Sequence, residues 1–127
     1  MCTLRRMAKE NDLRRRTMKF AIAVSEFCEL LPESYKGRHV ASQIFRSGTA
    51  VAANYRSACR ARSKPDFISK LGVVIEESDE TDFWLEFAAE SRLLKEGAEQ
   101  KLRVEANELI AIFTQAQRTA KANLGRE

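Results

Sequence analysis

Two pairs of glutamates stand one helical turn apart in this chain, Glu77-x-x-Glu80 and Glu105-x-x-Glu108. Carboxylates at i and i+3 share a helix face. All-helical nucleotide pyrophosphatases hold Mg²⁺ between two such pairs on neighbouring helices, which makes an Mg²⁺-dependent pyrophosphatase the remote reading of these residues. The spacing along the chain opposes it. A hairpin about Gly97 sets Glu77 opposite residue 117 or so and Glu105 opposite residue 89 or so. The offset is about 12 residues, or about 18 Å at a rise of 1.5 Å per residue. Carboxylate ligands lie within about 2.0–2.6 Å of their ion, so one ion cannot join the pairs, and no metal site is expected.

Other catalytic constellations lack parts. A di-iron helical bundle needs Glu-x-x-His pairs on two helices. The single histidine, His39, has no Glu three residues before it, and it reads as a solvated residue near a helix start. Serine and cysteine nucleophiles lack a base for the same reason. Cys2, Cys28 and Cys59 are odd in number and widely spaced. They form neither a disulfide framework nor a zinc ligand set, and Cys28 and Cys59 read as small core residues. No catalytic residue and no cofactor is expected, so the chain reads as a binding protein and not an enzyme.

Charge is the stronger signal. The 127 residues carry a net charge of +4. Arg5, Arg6, Lys9, Arg14, Arg15, Arg16 and Lys19 crowd the N-terminus, and Arg38, Arg46, Arg56, Arg60, Arg62, Lys64 and Lys70 follow. Glu76, Glu77, Asp79, Glu80, Asp82, Glu86 and Glu90 then run without a Lys or Arg between them. Such segregation favours pairing within or between subunits. A hairpin near residue 64 pairs position 46 with about position 82, so Arg46 is expected to form a structural pair with Asp79 or Asp82. Arg56, Arg60 and Arg62 face a segment holding only Asp66. Phosphate contact by these three, helped by Arg14, Arg15 and Arg16, is the functional reading, and salt bridging or plain solvation is the bland one. An acidic protein partner would suit the same strip.

Two further features invite function. Asn54 sits on a mostly apolar helix and reads as a buried amide that fixes helix register or a subunit contact. Phe83, Trp84 and Phe87 cannot all face one core. The ring left outside could stack a nucleobase, but a subunit interface is the expected use, since aromatic anchors are enriched there.

These residues must be positioned by long elements, because five Gly and two Pro leave few turns. A first helix is predicted from Asn11 or Asp12, with Leu13, Phe20, Val24, Phe27 and Leu31 on one face, stopped by Pro32. Glu33 to Gly37 reads as a loop. A second helix runs from about Arg38 to Arg62, with Gly48 marking a close helix crossing. Ser63 caps a third, Pro65 and Asp66 occupy its first turn, and it extends to about Lys95, with Gly97 as its left-handed cap. A fourth begins at residues 98–101 and carries Leu102, Ala106, Leu109, Phe113, Ala116 and Ala120. Residues 1–127 thus read as a single all-α domain, an antiparallel up-down-up-down four-helix bundle, with a flexible basic N-terminus over 1–11 and a frayed tail over 122–127. No apolar run has membrane length and no signal peptide is evident, so a reducing cytoplasm is the expected location.

Within the second and third helices the run Gln43-Ile44-Phe45-Arg46-Ser47, Val51-Ala52-Ala53-Asn54-Tyr55-Arg56, Arg60-Ala61-Arg62-Ser63, Asp66-Phe67, Lys70-Leu71-Gly72 and Glu76-Glu77-Ser78-Asp79-Glu80 resembles the four-helix-bundle family named after proteins encoded in intervening sequences of bacterial 23S ribosomal RNA genes. The match spans roughly Phe20 to Leu94. The chain departs from a common form of that family, in which Asn is followed by Ile-Ala-Glu-Gly. Here Asn54 is followed by Tyr55-Arg56-Ser57-Ala58. The resemblance implies a homo-oligomer, a ring-shaped pentamer, distantly related to the accessory protein of diversity-generating retroelements, which binds nucleic acid through a basic surface. The function expected is therefore a non-enzymatic, oligomeric accessory protein that binds RNA or DNA backbone, with a protein-interaction scaffold as the alternative.

Overall fold

Four α-helices follow one another in the computed structural model, which describes residues 3–124: α1 Thr3–Cys28, α2 Tyr35–Cys59, α3 Lys64–Glu90 and α4 Gln100–Ala122. Each helix packs on its sequence neighbour, so the chain runs up, down, up and down. The fourth side of the bundle is open by comparison, because α1 and α4 approach each other only slightly. The diagonal helices α1 and α3 are not backbone neighbours and share only the central core. No described helix is long and apolar enough to cross a membrane.

One cluster fills the centre. Phe20, Val24 and Phe27 of α1, Val40, Ile44 and Val51 of α2, Leu71, Val74 and Leu85 of α3, and Ala106, Leu109 and Phe113 of α4 are buried together. They recur at three- and four-residue steps because a helix turns every 3.6 residues. Tyr55 adds a ring against Phe113, with centroids 4.9 Å apart. Buried Thr17 and Ser78 return their hydroxyls to carbonyls on their own helices. Thr81 also donates across to Ser47 at 2.8 Å, so one buried polar contact pins α2 against α3. Asn54, expected to fix helix register or a subunit contact, is half-buried, and its amide donates to Ala50 O on its own helix at 2.8 Å.

Several ends differ from the sequence expectation. α1 begins at Thr3, well before Asn11. The run Leu4 to Glu10 consists of strong helix formers, and Asn and Asp cost only a few tenths of a kcal/mol inside a helix, so the helix passes through residues 11 and 12. The N-terminal stretch is therefore helical from residue 3, while residues 1 and 2, including Cys2, and the tail residues 125–127 lie outside the described residues. α2 starts at Tyr35 because Ser34 caps it, accepting the Gly37 N–H at 3.0 Å. Gly37 is no turn residue. It lies in the first turn, where a Cβ would collide with the Pro32 carbonyl. α3 ends at Glu90 and not near Lys95. Its C-cap is Ser91, and Arg92 follows in the left-handed region at φ 60°. Leu93 N–H bonds Ala88 O and Arg92 N–H bonds Ala89 O, the paired closure of a Schellman turn. Gly97, at φ 83°, serves the loop beyond. Ser63 caps α3 as expected, accepting from the Asp66 N–H.

Gly48 does mark a close crossing. A Cβ there would meet the Val24 Cγ1 at 2.6 Å, and Val24 is fully buried. Helix propensity favours Gly48→Ala by about 1 kcal/mol, while overpacking costs about 1–3 kcal/mol. We therefore expect Gly48→Ala to lower stability by up to about 2 kcal/mol in urea denaturation, and its cost to be less than additive with that of Val24→Ala, which vacates the space the new methyl needs.

Candidate functional site

The two glutamate pairs are both occupied by arginines. Arg46 of α2 reaches α3, where its Nη2 lies 3.1 Å from Glu77 Oε1 and 2.6 Å from Glu80 Oε2. Arg16 of α1 reaches α4, giving Glu105 two hydrogen bonds of 2.7 and 2.8 Å and Glu108 one of 2.7 Å. Carboxylates one turn apart present their oxygens on one face, and a planar guanidinium spans them as well as an ion would. A third arginine, Arg103 of α4, grips Asp82 through Nε at 2.8 Å and lies 3.9 Å from Glu86. Hydrogen bonds to Glu105, Glu77 and Asp82 respectively hold these three guanidinium groups even more firmly protonated than usual. Among the described residues no three His, Cys, Asp or Glu side chains are placed to share a metal ion.

This layout corrects two expectations. Arg46 pairs with Glu77 and Glu80 instead of Asp79 or Asp82. Rise per residue gives height along the rods to within a turn, but the facing side of α3 carries 77, 80 and 81, whereas Asp79 points outward and Asp82 turns to α4. Arg16, expected beside Arg14 and Arg15 at phosphate, is instead held by two carboxylates, Glu105 and Glu108. Consecutive helical residues diverge by about 100°, so Arg14, Arg15 and Arg16 point three ways. Arg16 goes to α4, Arg15 outward with Asp12 3.7 Å away, and Arg14 toward the end of α2.

At that end the basic groups gather. Arg14 and Arg60 both act on the Cys59 thiol, and Arg14 also on the Tyr55 hydroxyl beside it. Arg56 lies one turn before Arg60 on the same exposed face of α2. Among the described residues, none of Arg14, Arg56 and Arg60 has a carboxylate in salt-bridge contact. The acid that acts on Cys59 is Glu10. Arg62 is different. Its backbone N–H bonds Asp66 Oδ2 at 3.3 Å, and Asp66 also takes Lys70 at 3.0 Å, contacts that hold the Asp66 carboxyl below its usual range, Lys70 foremost. Lys64 reaches the Asn123 carbonyl at 3.2 Å. The candidate site therefore contracts to Arg14, Arg56 and Arg60, flanking the outer seam between α1 and α2, with Arg62 at its edge.

The aromatic group lies at the other end of the bundle. Trp84 is half-buried on the core, while Phe83 and Phe87 are exposed beside it. Ring centroids are 5.0 Å apart for Phe83–Trp84 and 5.5 Å for Trp84–Phe87. His39 of α2 meets Trp84 edge-on at 5.8 Å. Phe83 and Trp84 thus divide as the sequence requires, one ring in and one out, far from the basic seam.

Cys28 and Cys59 are half-buried. Burial, foremost, and Glu29 push the Cys28 thiol up to about 11, and burial likewise raises Cys59 despite the arginines near it.

The family described as 23S rRNA-intervening sequence protein matches residues 9–115. Among solved structures, the chain is similar to a protein of unknown function from the S23 ribosomal protein family of Bacteroides thetaiotaomicron. The two are 27% identical, with a TM-score of 0.79 over 87% of this chain and 98% of that one. No curated protein matches.

Two measurements follow from this geometry. Arg16→Ala leaves Glu105 and Glu108 without their cation at the open side of the bundle. The fork is partly exposed, so the loss should be about 1 kcal/mol and should shrink in high salt; urea titrations at two ionic strengths read it. Alkylation of Cys28 and Cys59 by iodoacetamide at pH 8 should be at least tenfold slower in the folded protein than in urea, since the thiolate is the reactive form; peptide mass spectrometry reads each site.

Proposed function

The chain belongs to the 23S rRNA-intervening sequence protein family, and from that premise we propose that it is a non-enzymatic, self-associating accessory protein that binds the phosphate backbone of RNA or DNA. The observation that carries the proposal is the seam of Arg14, Arg56 and Arg60. The bundle neutralises Arg16, Arg46 and Arg103 with nearby carboxylates but leaves these three exposed, without a salt bridge among the described residues. A stabilising pair needs its partner close, so cations left unpaired on one seam serve stability little. They suit an anionic polymer, whose condensed counterions are released when phosphates are neutralised. The exposed side chain of Lys9, before Leu13 on α1, adds a further cation to the same end of the molecule.

Contact to phosphate and not to bases is the mode this seam supports. Tyr55 beside it is buried, with its ring against Phe113, so it offers no stacking surface. Affinity should be salt-dependent and broadly indifferent to sequence.

Gel-shift titrations with generic RNA and duplex DNA, from low to moderate salt, test this. Binding should weaken steeply with salt, and the triple variant Arg14→Gln, Arg56→Gln, Arg60→Gln should reduce the slope of log K against log salt by about one per residue. Absence of binding at low salt, affinity unmoved by salt, or a triple variant that binds like the parent would each reject the phosphate role. If the seam instead captures an acidic protein after nuclease treatment, the chain is the protein-interaction scaffold.

A further inference from the structure

Once the arginine forks are made, the carboxylates they leave over gather on one surface. The outward face of α3 carries Glu76, Asp79, Phe83, Glu86, Phe87 and Glu90, all exposed. They lie within about 60° of one line at 100° per residue. No Lys or Arg occurs in the sequence between Lys70 and Arg92. Arg46 turns to Glu77 and Glu80, and Arg103 to Asp82, with Glu86 at 3.9 Å. Glu76, Asp79 and Glu90 have no salt bridge among the described residues. Amid these acids stand two large apolar side chains a turn apart, Phe83 at 50% exposure and Phe87 at 38%. Their rings join that of Trp84 in one patch, with centroids 5.0 and 5.5 Å from the indole. An exposed apolar patch rimmed by charge marks an interaction surface, and both carboxylates and ring faces attract cations.

We propose that the outward face of α3 docks a basic amphipathic helix of a partner protein, one that presents two apolar side chains a turn apart amid Lys and Arg. Charge selects this occupant. Nucleic acid and anionic lipid carry the same sign as the strip and are repelled by it. The outward face of α1 in a second copy lacks the complement, because exposed Asp12, Glu26 and Glu29 share it with Arg15 and Lys19, and Arg15 already lies 3.7 Å from Asp12. A basic helix answers both halves of the strip. Its apolar pair, about 6 Å apart along the axis, packs on Phe83 and Phe87, the anchor spacing of helix recognition. Its cations meet Glu76 and Asp79 before the rings and Glu90 beyond them, and they favour the exposed ring faces as well. The charges set orientation and the rate of encounter, while the rings supply the apolar contact. This surface lies apart from the Arg14, Arg56 and Arg60 seam and does not rest on phosphate binding there.

Trp84 is the chain's only tryptophan and stands against both rings, so its emission reports on the strip. The probe is a synthetic peptide of about 18 residues, long enough to form a helix, free of Trp and Tyr, with two Leu four positions apart among Lys. Its twin carries Glu in place of every Lys. The Lys peptide should shift Trp84 emission saturably and the Glu peptide should not. Raising salt from about 50 to about 500 mM should weaken binding roughly tenfold. Glu76→Lys, Asp79→Lys and Glu90→Lys together should weaken the Lys peptide by about tenfold or more and admit the Glu peptide. Phe83→Ser with Phe87→Ser should weaken the Lys peptide about as much with every carboxylate kept. All five positions are exposed, so circular dichroism should show unchanged helicity; should the triple variant unfold, Asp79→Lys alone runs the charge test. No saturable shift, equal response to the two peptides, or a charge variant that binds the Lys peptide like the parent overturns the proposal. So does light scattering in which the same substitutions split an oligomer of the parent, since a second copy then occupies the strip. None of these changes touches Arg14, Arg56 or Arg60, so the phosphate reading stands or falls on its own assay.

Discussion

An arginine spread across two carboxylates one helical turn apart is the contact that orders the charge of this molecule. Arg16 does it between α1 and α4, and Arg46 between α2 and α3. Arg103 ties α4 to α3 through Asp82, with Glu86 more distant. Each fork removes a cation and its anions from the exterior field. What remains is sorted by position, with arginines on the α1–α2 seam and carboxylates along the back of α3. A chain of modest net charge thereby presents strongly signed local surfaces.

The forks do not hold the bundle up. They are partly exposed, and pairs of that kind contribute roughly 0–1 kcal/mol each. Burial of the apolar stripes stabilises the fold far more, because each fully buried large aliphatic or aromatic side chain contributes about 1.5–3 kcal/mol. The forks instead select arrangement. α1 packs closely on α2, where Gly48 admits Val24, but meets α4 only slightly. Arg16 is the polar contact that spans this open side. Across α2 and α3 the Ser47–Thr81 hydrogen bond adds a polar contact inside the core, while each hydroxyl also reaches a carbonyl of its own helix.

Much of this architecture is legible in the residues alone, and the misses have physical causes. The order and number of helices follow from apolar periodicity, and Ser63 and Gly48 act as their types suggest. Helix ends are harder. Asn11 and Asp12 have the chemistry of caps, yet helix formers on either side outweigh a weak interior residue. Gly37 has the chemistry of a loop, yet it is a glycine required by Pro32 within a first turn. Arg92 closes α3 in a conformation usually given to glycine, which no residue type announces. In the site, rise per residue locates Arg46 to within a turn of its partners but cannot say which side of α3 faces it. The forks themselves have a signal, since i,i+3 carboxylates opposite a long cation are as much an arginine seat as a metal seat. The loss of Arg16 from the phosphate set follows from the same 100° rotation that keeps Arg14 in it.

The two leftover surfaces bear on each other. If copies associate through a single head-to-tail contact that closes, one rotation axis relates them all. That rotation carries every Arg14–Arg56–Arg60 seam to an equivalent place on one circle. Three unpaired arginines are a weak phosphate site taken singly, because each contact is screened by salt over about 8–10 Å. Repeated around a circle they address successive phosphates of one polymer, and later contacts form at high effective concentration. The acidic back of α3 would oppose such a polymer if left exposed.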